Sequence, residues 1–136
     1  MAKSLSDAIK QVQIIVAGVS GVKQAPQYPP EKMSEFPFAI AFPGSGTFTP
    51  DASGTKRGLH RITLEIHTAR KNMAQDVAAI IDYGESISSA LLNNLRLNST
   101  VDTINQIAYE FGPLGYDSVL TIGFTFSIDV KIINAL

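Results

Sequence analysis

From Leu120 to Ile132 the chain alternates without a break. Leu120, Ile122, Phe124, Phe126, Ile128, Val130 and Ile132 are apolar, and Thr121, Gly123, Thr125, Ser127, Asp129 and Lys131 separate them. A two-residue period puts each set on its own face, so the pattern predicts a strand of about thirteen residues with one buried side and one polar side. Shorter runs of the same period mark three more strands. "EFPFAIAF" sets Phe36, Phe38, Ile40 and Phe42, a heavy aromatic face, against Pro37, Ala39 and Ala41, a thin one. Pro37 confines that segment to a strand start or a sheet edge. "LHRITLEIHTAR" points Ile62, Leu64 and Ile66 inward and Arg61, Thr63, Glu65 and His67 outward. "TINQIAYEF" puts Ile107, Tyr109 and Phe111 on one side, and "GPLGYD" (112–117) turns the chain into the last strand.

Two segments follow the helical period instead. Leu5, Ala8, Ile9, Val12, Ile15 and Val16 make one stripe from about Ser4 to Ala17, with Ser4 as the cap, Asp7 in the first turn and Gly18 and Gly21 as the stop. A longer helix spans about Met73 to Leu95. Its stripe is Val77, Ile80, Ile81, Ile87, Leu91 and Leu95, and Asn72 with Gln75 forms a capping box. Gly84 in mid-helix costs about 1 kcal/mol against Ala, which points to close packing at that position. Between the first helix and the first strand, Pro26, Pro29, Pro30 and Pro37 make an extended connector.

"AFPGSGTFTPDASGTKRGLHR", residues 41–61, joins the first two strands with Gly, Ser, Thr, Pro and charge around a lone Phe48. It reads as the overlong tip of a β-hairpin, a mobile loop at about 44–58. Loops of that length usually bind something or are disordered. The resulting fold class is α+β: a single domain, α-β-β-α-β-β, mostly antiparallel, with helices packed on one face and a long hairpin loop.

Composition narrows the functional classes. The 136 residues are 45% hydrophobic and only 17% charged, so part of the surface is expected to be covered by other subunits. The net charge is −1, from 11 basic and 12 acidic residues, with no basic field for nucleic acid and no cationic run for a membrane. Cysteine is absent, which excludes disulfides, zinc thiolates and cysteine nucleophiles. "VQIIVAGVSGV" is too short to span a bilayer, and the polar positions Ser4, Ser6, Asp7, Lys10 and Gln11 before it are unlike a signal peptide. The expectation is a mature protein that is cytosolic where it is made.

Candidate chemistry is thin. His60 and His67 are seven apart on one strand and point to opposite faces, so they cannot share a metal. Glu65 and His67 share a face but lack a third ligand nearby in sequence. "GSG" at 44–46 follows a strand but opens no helix, as a phosphate loop must. No Ser sits in a strand-to-helix elbow. No catalytic, cofactor-binding or metal residues are therefore assigned, and the chain reads as no enzyme. The candidate partner contacts are Phe48, Asp51, Lys56, Arg57, Arg61 and Glu65. Arg57, Arg61, Arg70 and Lys71 bracket the second strand, which suits an acidic protein partner better than DNA.

The element order, the Pro-containing approach "QYPPEKMSEFPFAIAF", the strand "ITLEIHTAR", the helix "AQDVAAIIDYGESISSALL" and the final "LTIGFTFSIDV" together resemble the tail terminator (tail completion) proteins of long-tailed bacteriophages, from about Ser4 to Ile132. The resemblance implies a structural virion protein, made in the host cytoplasm and resident in the tail or neck. Such proteins form a homo-oligomeric ring, hexameric in the family, that caps the tail tube, ends its polymerisation and offers the docking surface for the head–tail connector protein. DNA passes through the lumen without specific binding, and neither cofactor nor membrane is involved. On this resemblance, residues 44–58 become the contact to tube or connector, and Thr63, Glu65, Thr121, Thr125 and Ser127 a subunit contact. Two alternatives stay open. One is another neck or head–tail connector protein. The other is a small-ligand-binding α+β domain with a pocket of Tyr109, Tyr116, His67 and Glu65.

Overall fold

The alternating segments pair into one sheet. The computed structural model describes residues 3–20, 22, 25, 37–51, 54–68, 73–116 and 119–135. Its elements run α1 (Leu5–Ala17), β1 (Phe38–Asp51), β2 (Thr55–Thr68), α2 (Met73–Leu92), β3 (Thr103–Tyr116) and β4 (Val119–Ala135). The strands are ordered β1-β2-β4-β3, and every neighbouring pair is antiparallel. The α+β order read from the sequence is the order of the fold. The Pro-rich approach to β1 and the Asn72–Gln75 capping box lie outside the described residues and side chains.

One face of the sheet carries the core. Across β2 and β4, Ile62 lies opposite Ile128, Leu64 opposite Phe126 and Ile66 opposite Phe124, all buried. Ala8, Val12 and Val16 of α1 and Ile80, Ile87 and Leu91 of α2 close over them. Ser4 caps α1 by accepting from the Asp7 N–H at 3.1 Å. Gln13 of α1 donates to the Ala39 carbonyl of β1 at 3.2 Å, which ties the helix to that edge of the sheet.

Four expectations are corrected. Residues 44–51 and 55–58 are strand, not loop: β1 and β2 stay paired from Phe38↔His67 out to Asp51↔Thr55, and β4 continues along β2 to Thr55↔Ala135. Backbone pairing needs no apolar alternation, so a Gly/Ser/Thr strand leaves little trace in the sequence. Pro43 and Pro50 fit because β1 is an edge strand. In the same way the turn at 112–117 is mostly strand, paired to Tyr116↔Val119.

The first strand turns its thin face to the helices, and the reverse of the sheet is not wholly polar. Ala39 and Ala41 stand opposite Ile66 and Leu64 on the helix side, where small residues let α1 approach. Phe38 and Ile40 are buried on the other face, beside His67 and Glu65. That second face is therefore polar only in part. Finally, α2 ends at Leu92, and two members of its expected stripe, Ile81 and Leu95, are exposed.

Asp102 fastens the chain ends to the sheet. It accepts from Lys3 Nζ at 2.8 Å and from the Ile133 N–H at 2.6 Å. Burial pushes its carboxyl up, but the hydrogen bonds from Lys3 and Ile133 and the charges of Lys3 and Lys131 outweigh this and hold it below the ordinary value. A folded-state pKa below the unfolded one gives stability that is complete above the unfolded pKa, about 4, and is lost as pH falls through the folded value. Asp102→Asn should therefore cost about 1–2 kcal/mol at pH 7 and much less at pH 2–3. Urea midpoints at both pH values test this; an equal loss at both would remove Asp102 as an acid-sensitive clasp.

Candidate functional site

Two helices cannot cover this sheet. The 13 residues of α1 and 20 of α2 span about 20 and 30 Å, whereas strands of 14 to 17 residues reach about 46–56 Å. α2 packs mainly over β2 and β4, and β3 forms one edge of the described sheet. An apolar groove of about 610 Å³ opens between them. Val77, Ile81, Gly84, Ser88 and Leu92 form the helix wall; Ile107, Tyr109, Phe111, Phe124 and Phe126 form the strand wall. Glu85 is the one charged residue among the described residues lining it.

The floor is an aromatic cluster. The Phe124 ring meets Tyr109 edge-on at 5.5 Å between centroids and Phe111 at 5.3 Å, and tilts against Phe126 at 5.6 Å. Such contacts fix the rings relative to one another. Tyr109 remains 67% exposed, and Ile81, Leu92 and Phe111 are also exposed. Exposed apolar side chains gathered on one surface, unlike single scattered ones, mark an interaction site.

A second surface lies at the far end of the opposite edge, on the arm made by the outer halves of β1 and β2. On the helix side of that arm, Phe48 is 67% exposed and meets His60 edge-on at 4.9 Å. Lys56 Nζ sits 5.2 Å from the Phe48 ring centroid, within cation–π range. Gly46 and Gly58 leave the slot that the His60 ring fills; a Cβ at either would collide with it. Burial first, and the Lys56 charge second, push the His60 pKa below its ordinary value, so the ring is neutral at pH 7.

The candidate contact residues thus divide. Phe48 and Lys56 are brought together on one face. Arg57, opposite Thr49, lies on the other, and Asp51 pairs with Thr55 at the end of the arm. Arg61 also lies on that second face, bonded through Nε to Asp129 at 3.0 Å, and Gln106 donates to the same carboxylate at 3.1 Å. Glu65 belongs to a different network: its Oε1 is 3.0 Å from His67 Nε2, and His67 Nδ1 is 2.6 Å from Thr121 Oγ1. His67 and Thr121 are fully buried. With no exposure, the Thr121 hydroxyl is sealed from any substrate, and the trio serves as a satisfied polar link between β2 and β4.

The ligand pocket of Tyr109, Tyr116, His67 and Glu65 is not brought together: Tyr109 lies on the helix side of the sheet and His67 and Glu65 on the reverse, while the Tyr116 side chain lies outside the described ones. His60 and His67 occupy opposite faces, as their spacing predicts. No group of three or more metal-ligating side chains occurs among the described residues, and no described helix is long and apolar enough to cross a membrane. The groove itself was missed in sequence because Ile81 and Leu92 extend an ordinary buried-looking stripe. Comparison with protein-family models and with curated proteins finds no match.

Proposed function

We propose that this chain is a virion assembly protein of the tail-terminator kind. It forms a homo-oligomeric ring that caps a tail tube, ends tube polymerisation and gives the head–tail connector a surface to dock on. The observation that carries the reading is a sheet whose described strands end in two edges, one bordered by an open aromatic groove and the other ending in an exposed arm. Unlike patches at opposite sides of one rigid body favour head-to-tail association, which closes into a ring when the rotation per copy allows. Among the described residues, the polar clusters lie apart and the His67–Thr121 pair is buried, which suits an assembly role. The resemblance in element order to tail terminators supplies the identity of the assembly.

The test is tail length. Without this protein, tubes should grow to irregular, excessive lengths and fail to join heads, and adding the purified chain to growing tubes should stop elongation. Tails of normal length joined to heads in its absence would overturn the reading.

A further inference from the structure

We infer that the groove between α2 and β3 receives the β1–β2 arm of a second copy of this chain, with Phe48 entering beside Ile81, Tyr109 and Phe111 and Lys56 meeting Glu85. The inference rests on the ring reading and names its contact. Three features select this occupant. First, the chemistry matches: an exposed Phe carries a cation against its ring, and the apolar groove bears one carboxylate. A Phe side chain offers the groove an apolar surface of about 150–250 Å².

Second, both surfaces lie on the helix side of the sheet, as the register of Phe48 with Gly58, Gly58 with Ile132, and Tyr109 with Phe126 requires. Third, the arm cannot fill its own groove. β1 and β3 are the two edges of the sheet, three strand spacings or about 14 Å apart, and Phe48 is displaced a further six residues, about 20 Å, along the strands from Tyr109. Only another copy can bring the two together. Each copy then gives one arm and accepts one, so the contact repeats around an assembly.

Light scattering on the purified chain and two variants tests this. Phe48→Asp removes the arm's anchor and Ile81→Asp the groove's wall; both sites are exposed, so unchanged circular dichroism should confirm the fold. Each variant alone should weaken self-association by about 30-fold or more. Mixed together, they should form a one-to-one pair and nothing larger, because one intact arm and one intact groove remain between them. Lys56→Glu or Glu85→Lys alone should weaken assembly, and the two reversals in one chain should restore it. Oligomers indifferent to Phe48→Asp and Ile81→Asp would overturn the arm-in-groove contact and leave the ring reading to stand on tail length. A wild-type chain still monomeric at ~1 mM would also overturn the contact.

Discussion

Gly123→Ala is expected to lower the stability of the fold by about 3 kcal/mol or more, a large part of the 5–15 kcal/mol that holds a typical domain together. Gly123 lies in β4, one of the two interior strands, directly opposite His67 of β2. A Cβ there would run into the carbonyl of Ile66. The obstacle is main chain, so no side-chain rotation relieves it. The ladder between β2 and β4 must part locally instead. That strains the Ile66–Phe124 contact on the core side and the His67–Thr121 bond on the other. Urea denaturation of the variant measures the loss. A change below about 1 kcal/mol would mean that the two strands can separate freely at this point, and that the buried His67 network does not depend on their close approach.

The alternation from Leu120 to Ile132 made β4 legible, and Ile62, Leu64 and Ile66 made β2 so, because both strands are buried on one face by helices. Where a strand carries no apolar alternation, the sequence is nearly silent. Residues 44–51 are a strand only because β2 pairs with them, and their Gly, Ser and Thr side chains carry no period. Phe38 and Ile40 show a different limit. Their apolar alternation is real, but the bulkier set faces away from the helices, since Ala39 and Ala41 are what α1 can approach. Period gives the alternation of a strand, not which side meets the core. The candidate site was half legible. Phe48 stood out as the lone aromatic of a polar run and Lys56 as one of its charged residues; the fold puts the two side by side. The groove they fit was hidden, because Ile81, Tyr109 and Phe111 look like core residues until the sheet proves wider than its helices.

Phe124→Ala should cost about 3–5 kcal/mol, and its effect should be strongly coupled to Gly84. Phe124 is buried at the groove's floor, in contact with Tyr109, Phe111 and Phe126. Gly84 of α2 rests on that ring: a Cβ at Gly84 would stand 2.8 Å from Phe124 Cε2 and 3.1 Å from Cδ2. Two effects therefore compete in Gly84→Ala. Alanine favours the helix by about 1 kcal/mol, while overpacking in a core costs about 1–3 kcal/mol. With the ring in place the clash should prevail, for a net loss of about 1 kcal/mol. Once Phe124 is alanine the clash is gone, the new methyl occupies part of the cavity, and Gly84→Ala should stabilise by about 1 kcal/mol. The coupling across the double-mutant cycle is then about 2 kcal/mol. Denaturant midpoints of the four proteins suffice to measure it. Additivity within about 0.5 kcal/mol would show that α2 does not sit on Phe124, and the groove's helix wall would have to be redrawn. The same cycle bears on assembly, because Phe124 holds Tyr109 and Phe111 at the place where the arm of a second copy enters. Phe124→Ala should weaken self-association even at concentrations of denaturant where the monomer stays folded, whereas Gly84→Ala in that background should recover about 1 kcal/mol of stability without restoring assembly.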